Sequence, residues 1–223
     1  MSMWNQIYLF AFLGGVILTL VDTPLFQWLA EKTDFMDRPQ ANHKGHRKAT
    51  PLLGGAAMFT AWILCLTAGV TAATSGWVPY FSEVLSEHLA GMQAVSRPLL
   101  FIALGAFLSV MLGLIDDKWA LTAAQKFGGQ FVIALIAVWL GGVRINVFID
   151  NSWITGVLTV FWIMLLMNSI NFFDNMDGLA VGTVTIAMGF FTILAALNHQ
   201  FFIAALAALT CGVGAGFWFY NFN

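Results

Sequence analysis

The sequence predicts an all-α, polytopic transmembrane helix bundle of about seven spans, with its N-terminus outside. Three observations predict it: a composition unsuited to water, a series of long apolar runs, and a lopsided distribution of cations. The 223 residues are 60% hydrophobic and only 9% charged, with 21 Phe and 9 Trp. A soluble domain carries about 25% charged residues. A chain of this size in water would still need a polar surface around its core. Lipid as solvent meets the composition. The formal net charge of −2 says little about partners, because the charges are few and clustered.

A hydrocarbon layer about 30 Å thick takes about 20 apolar residues in helical form. The candidates are Trp4–Leu29, Gly55–Ala73, Leu99–Ile115, Phe127–Val143, Trp153–Met167, Leu179–Leu197 and Phe201–Tyr220. The first lacks the basic start and small-residue cleavage site of a signal peptide, so it reads as a span. These runs are apolar all round and lack the alternation of membrane strands. Helices follow, since backbone polar groups in lipid must be bonded within their own segment.

Seven spans alternate in direction and divide the connections into two sets. One set holds Glu31–Gly54, Asp116–Lys126, Asn168–Gly178 and the C-terminal end. It contains Lys32, Arg38, Lys44, Arg47, Lys48, Lys118 and Lys126, seven of the nine Lys and Arg residues. The other set has Arg97 and Arg144, and includes Thr74–Ser96 as an interfacial loop. The excess of cations places the first set in the cytoplasm. The acidic residues Asp116, Asp117, Asp174 and Asp177 then lie on the same side as the basic loop.

Asp116 and Asp117 close a run of almost unbroken hydrophobicity. Ionisable groups at a membrane boundary are costly and mark function by default. Adjacent carboxylates point to different sides of a helix, so one can hold a metal while its neighbour handles a proton. The competing reading is a solvated helix end, although carboxylates there oppose the helix dipole. In the third polar segment Asn168, Asn171, Asp174 and Asp177 recur every three residues among Phe and Met. Such a stripe drifts round an α-helix by about 60° per step and aligns better on a tighter helix. Its oxygen donors suit a hard cation such as Mg²⁺, and Gly178 permits a sharp change of direction after it. The loop around Lys44, His46, Arg47 and Lys48 could bind phosphate or anionic headgroups, or simply mark the cytoplasmic side. His43 and His46 lack the further ligands zinc requires. Lys126 reads on its own as a snorkelling lysine. Asp22, beside Pro24, is deep enough in the first span to note. Cys65 and Cys211 sit in apolar stretches and read as small hydrophobes. Nothing in the pattern calls for nucleic acid.

These motifs, in this order, resemble the polyprenyl-phosphate N-acetylhexosamine-1-phosphate transferases. The matching residues are Lys44-x-His46, Thr50-Pro51 and Gly54-Gly55; Asp116-Asp117 with Lys126 and Gln130; and Asn171-x-x-Asp174-x-x-Asp177-Gly178-Leu179. The segments Thr50–Gly55 and Asn171–Gly178 are closer to the branch that uses UDP-GlcNAc than to the phospho-N-acetylmuramoyl-pentapeptide transferases of peptidoglycan synthesis. The resemblance implies transfer of HexNAc-1-phosphate from a UDP-sugar to undecaprenyl phosphate with release of UMP. The site would face the cytoplasm of a bacterial inner membrane, with Mg²⁺ as cofactor and Mn²⁺ as its alternative. It implies Asp174 and Asp177 as metal ligands, Asp116 as the base that readies the lipid phosphate, and Asp117 as a holder of metal or phosphate. Asn171, Lys126, Lys44 and His46 would contact the substrates. Membrane lipids are the surroundings, and a homodimer is allowed. Family members often have Arg at the position of His43. They normally continue after the position of Asn223 into further spans and a His-rich cytoplasmic loop. Residues 1–223 are thus expected to be a single transmembrane transferase domain lacking that C-terminal part.

Two other readings compete. An ion or proton transporter could use the same carboxylates, but its site belongs near the bilayer midplane, where only Asp22 qualifies. An inactive membrane fragment is the third.

Overall fold

A computed structural model describes residues 3–37, 49–75, 89–145 and 149–222. Helices dominate in chain order: α1 (Met3–Lys32), α2 (Gly54–Thr74), α3 (Leu89–Trp119), α4 (Ala123–Leu135), α5 (Ser152–Phe173), α6 (Leu179–Leu197) and α7 (Phe201–Asn221). A π-helical turn, Ile136–Leu140, prolongs α4. The strands β1 (Met36–Asp37) and β2 (Thr50–Pro51) pair antiparallel, Met36 opposite Pro51 and Asp37 opposite Thr50. Among the described residues, seven helices are long and apolar enough to cross a membrane. Phe10 (59% exposed), Phe161 (64%) and Phe190 (65%) show their outward surfaces to be apolar. In water such surfaces would be sticky; against lipid tails they are matched. The expected all-α, multi-pass membrane protein is what the chain forms.

The spans differ from the sequence expectation mainly at their ends. Helix α3 begins at Leu89 rather than Leu99 and runs through Arg97 and Pro98. The C-terminal part of the segment expected as an outer loop is therefore helical. Helix α3 also continues past Asp116 to Trp119, and α4 starts at Ala123. The expected connection Asp116–Lys126 thus shrinks to residues 120–122. Likewise α5 runs to Phe173, so Asn168 and Asn171 are helical and the turn begins at Asp174. A polar residue ends a hydropathy window but not a helix, whose backbone bonds continue until a cap or turn intervenes.

The chain forms two compact units, Met1–Val84 with Asp177–Asn223, and Leu85–Met176. In the first, α7 packs against α1, α2 and α6. A Cβ at Gly212 would overlap the Phe12 carbonyl, and one at Gly216 would press on the Val16 carbonyl. The bare glycines let the α1 and α7 backbones meet, as lipid-embedded helices require when burial alone does not drive association. Pro24 has no N–H for the Leu20 carbonyl; the Tyr220 hydroxyl donates to that oxygen instead, at 3.0 Å. In the second unit, α4 packs against both α3 and α5. Ala134 of α4 and Val138 of the π turn meet Val160 and Met164 of α5 in a buried cluster.

Candidate active site

The polar constellation of the second unit is built around the short turn from α3 to α4. Ala120 takes φ 46° to make this turn, and its N–H donates to the Asp116 carbonyl at 2.8 Å. The Leu121 N–H then donates to Asp116 Oδ1 at 3.1 Å. Thr122 starts α4 with a capping box. Its hydroxyl accepts from the Gln125 N–H at 3.3 Å, while Gln125 Oε1 accepts from the Thr122 N–H at 2.9 Å. This reciprocal cap satisfies donors that a helix start would otherwise orphan. Its effect is to aim the first turn of α4 back toward the end of α3. There Lys126 Nζ donates to Asp116 Oδ2 at 2.8 Å, with side chains 30% and 22% exposed.

The sequence expectation for Lys126 alone, a snorkelling lysine, changes accordingly. Its ammonium closes an ion pair with the candidate base. Both Asp116 oxygens are engaged, yet each carboxylate oxygen has a second lone pair, so acceptor capacity toward a substrate is left. Asp117 is exposed on the same helix end.

One turn beyond Lys126 on α4 is Gln130, only 3% exposed. Its Oε1 accepts from Asn168 Nδ2 of α5 at 2.7 Å, and the same Nδ2 donates to the Met164 carbonyl at 2.8 Å. Helix α5 is started by Asn151, whose Oδ1 accepts from the N–H groups of Trp153 and Ile154. It ends at Asp174, whose N–H donates to the Ile170 carbonyl at 3.1 Å. Asn171 and Asp174 are exposed, at and just beyond the last turn. Beside them, Leu165, Asn168, Ser169, Phe172 and Phe173 line an open groove of about 320 Å³ on α5.

Of the predicted site residues, the second unit thus brings Asp116 and Lys126 into direct contact and carries Asp117, Asn171 and Asp174. The evenly spaced stripe does not persist as one helical face. Asn168 turns inward to Gln130, Asn171 is outward, and the helix stops at Asp174. Asp177 is exposed and belongs to the other unit, where Gly178 takes φ 73° before α6. The expected sharp change at Gly178 is present, and its N–H donates to Asn221 Oδ1 at 3.1 Å. Lys44 and His46 lie outside the described residues, as does His43. Cys65 and Cys211 are free thiols, as their apolar settings predict.

Among the described residues no three His, Cys, Asp or Glu side chains gather as a ready-made metal cage. Asp22 is on the buried face of α1, with Oδ2 unpartnered. Its main neighbours α2 and α7 carry no charged residue. A carboxylate relay through Asp22 therefore has no second member in those helices.

The sequence profile of glycosyl transferase family 4 matches residues 99–223, from within α3 to the last residue. The chain belongs to glycosyl transferase family 4. It is 30% identical over 221 residues to a probable undecaprenyl-phosphate N-acetylglucosaminyl 1-phosphate transferase of Bacillus subtilis (strain 168), covering 96% of this chain and 55% of that protein. It is also 30% identical over 242 residues to a phospho-N-acetylmuramoyl-pentapeptide-transferase of Bacillus pumilus (strain SAFR-032), covering 98% of this chain and 68% of the relative. A protein of the same description from Bacillus licheniformis matches at 30% over 240 residues, with the same coverage. The chain thus spans 55% to 68% of the length of these relatives. The α3–α4 turn and the end of α5 both fall inside the family match.

The interhelical partner of Gln130 escaped sequence reasoning. Its signal was present, since Gln130 and Asn168 are carboxamides at the edges of apolar runs, where a polar side chain needs a partner. Which carboxamide pairs with which is information only the packing holds.

Proposed function

We propose that this protein transfers an N-acetylhexosamine 1-phosphate, GlcNAc-1-phosphate in the first instance, from a UDP-sugar to undecaprenyl phosphate. The reaction takes place at the cytoplasmic face of the bacterial inner membrane and is the first membrane step of envelope polysaccharide synthesis. The likeness over 96% of this chain to a protein named for that transfer carries the reading. The polar ends of α3, α4 and α5 supply residues suited to the chemistry.

In the transfer, an oxygen of the lipid phosphate forms a bond to the sugar-bearing phosphorus. The bond from that phosphorus to the bridging oxygen of the diphosphate breaks, and the bridging oxygen leaves as part of UMP. Phosphoryl transfer asks a protein mainly for alignment and charge neutralisation. Asp116 accepts a proton from the lipid phosphate through its remaining lone pairs, and Lys126 balances the charge that gathers there. Asp117 holds phosphate or metal, while Asn171, Lys44 and His46 contact the nucleotide sugar. Asp174 and Asp177 are the carboxylates that would hold magnesium, or manganese in its place. Held there, such a cation would supply positive charge to neutralise the diphosphate and the departing UMP. The apolar wall of the α5 groove, tipped by Asn168 and Ser169, suits a lipid chain.

A second reading replaces the donor with UDP-MurNAc-pentapeptide. It draws on relatives of that description, which match at the same 30% identity as the GlcNAc-1-phosphate relative. Membranes containing the protein, given undecaprenyl phosphate and each donor in turn, separate the two. UDP-GlcNAc is expected to yield labelled lipid with equimolar UMP, and UDP-MurNAc-pentapeptide none. The reverse result selects the second reading, and labelled lipid from neither donor rejects both.

A further inference from the structure

The interface between α4 and α5 is apolar where Ala134 and Val138 meet Val160 and Met164. Apolar contacts are non-directional, and lipid tails are as apolar as the residues they would replace. Such an interface holds two helices together but sets their register weakly. One turn from Ala134 stands Gln130, and one turn from Met164 stands Asn168. Their carboxamides meet at 2.7 Å, and this bond is directional. A slip of one residue would move α5 along its axis by about 1.5 Å and rotate it by about 100°, parting the pair.

Asn168 is not free to act as a substrate donor. A carboxamide has two N–H donors, and Nδ2 gives bonds to Gln130 Oε1 and to the Met164 carbonyl. Gln130 is buried, so it does not face a substrate either. Yet each belongs to a helix that carries chemistry. Lys126, the partner of Asp116, is one turn before Gln130. Asn171 and Asp174 are three and six residues after Asn168.

From this we infer that the Gln130–Asn168 pair is a positioning device for the proposed transfer site. It fixes the register of α5 against α4, and so fixes Asn171 and Asp174 relative to the Asp116–Lys126 ion pair. The inference rests on the transferase reading for its consequence, while the register itself is a physical property measured separately. A displacement of about 1 Å is enough to cost roughly 10²-fold in rate when reacting groups must be aligned.

The test uses the whole chain in lipid nanodiscs, with Cys65 and Cys211 replaced by Ala. Spin labels are placed at the exposed positions Phe131→Cys on α4 and Phe172→Cys on α5, and pulsed electron resonance reads the distance between them. With Gln130 present, one narrow distribution is expected. Gln130→Met keeps the length of the side chain but removes the acceptor, and the distribution should broaden or split. Gln130→Glu keeps an acceptor for Asn168 and should restore the narrow distribution, as should Asn168→Asp, toward which the Gln130 amide can turn its donor. Gln130→Glu combined with Asn168→Asp sets two acceptors face to face and should broaden it again.

In unlabelled protein, corrected for the folded fraction, Gln130→Met is expected to lower kcat by roughly 10²-fold with KM for the UDP-sugar within about threefold. Gln130→Glu should recover most of that loss. An unchanged distance distribution in Gln130→Met overturns the inference. So does a fall in thermal stability with kcat of the folded fraction unchanged, which would make the pair a structural bond only. If the unsubstituted protein shows no transfer, the transferase reading fails, and the distance measurement alone decides the register.

Discussion

The two units hold their helices together in lipid with different emphasis: the first has interhelical side-chain bonds too, from Tyr220 to Leu20 and from Trp62 to Thr210, but it leans on bare glycines as well. In the first, α1 and α7 touch through their backbones, because Gly212 and Gly216 leave nothing between them. In the second, α3, α4 and α5 are linked by side-chain polar bonds: Asp116 to Lys126, Gln130 to Asn168, and Arg97 Nε to the Leu140 carbonyl at 2.9 Å. Close backbone packing is rigid but chemically mute. Polar side-chain links cost desolvation, but they also leave charged and hydrogen-bonding groups at helix ends, where the proposed anionic substrates would meet them. The second unit, whose polar links include an ion pair, is also the one that carries Asp116, Asp117, Lys126, Asn171 and Asp174.

The largest loss of stability is expected at the glycines of the first unit. Gly212→Val should place a side chain on the Phe12 carbonyl and destabilise the fold by about 3 kcal/mol or more. Reversible denaturant unfolding in mixed micelles measures this, and a change within about 0.5 kcal/mol would show that α1 and α7 do not need backbone contact. Next comes Asp116→Asn, which leaves Lys126 without its carboxylate. Losing a hydrogen bond between charged groups costs about 1.5–3 kcal/mol, toward the lower end here because both side chains are partly exposed. Adding Lys126→Met should return part of that stability without returning activity. A double mutant no more stable than Asp116→Asn alone would show that the ion pair does not hold the turn.

Smaller effects sharpen the picture. Thr122→Ala removes the α4 cap and should cost about 1 kcal/mol, read as faster amide exchange confined to the first turn of α4. Tyr220→Phe removes the donor to the Leu20 carbonyl and should cost about 0.6 kcal/mol, the usual scale for such bonds in membranes. With Pro24→Ala supplying a backbone N–H to the same oxygen, the Tyr220→Phe cost should fall toward zero. If it does not, the tyrosine serves some purpose other than replacing the bond that Pro24 removes.

Much of the fold was legible because lipid imposes a simple rule on sequence. Seven apolar runs became seven helices, and Leu179–Leu197 kept its predicted limits at both ends. The misreadings share a cause. Arg97 with Pro98, Asp116 and Asn168 each interrupt hydropathy, yet backbone bonding carries the helix past them. Proline at an internal position removes one bond rather than ending a span whose neighbours hold it. The π turn at Ile136–Leu140 is invisible to hydropathy, since its residues are as apolar as those before it.

The candidate site was legible as residue types, and less so as contacts. Asp116 and Lys126 stand ten positions apart, and nothing in that spacing shows that the capping box at Thr122 folds one onto the other. The even spacing of Asn168, Asn171, Asp174 and Asp177 predicts a drifting stripe on a helix, and the structure divides it further. Its first member is spent on Gln130 and its last follows the helix end.

The most direct test of the central claim is a membrane assay of labelled GlcNAc-1-phosphate transfer from UDP-GlcNAc to undecaprenyl phosphate, comparing the unsubstituted protein with Asp174→Asn across a magnesium titration. The account predicts magnesium-dependent labelled lipid with one UMP released per transfer, reduced roughly 10²-fold or more in Asp174→Asn. Transfer that Asp174→Asn leaves unchanged, or UMP release without labelled lipid, would contradict it.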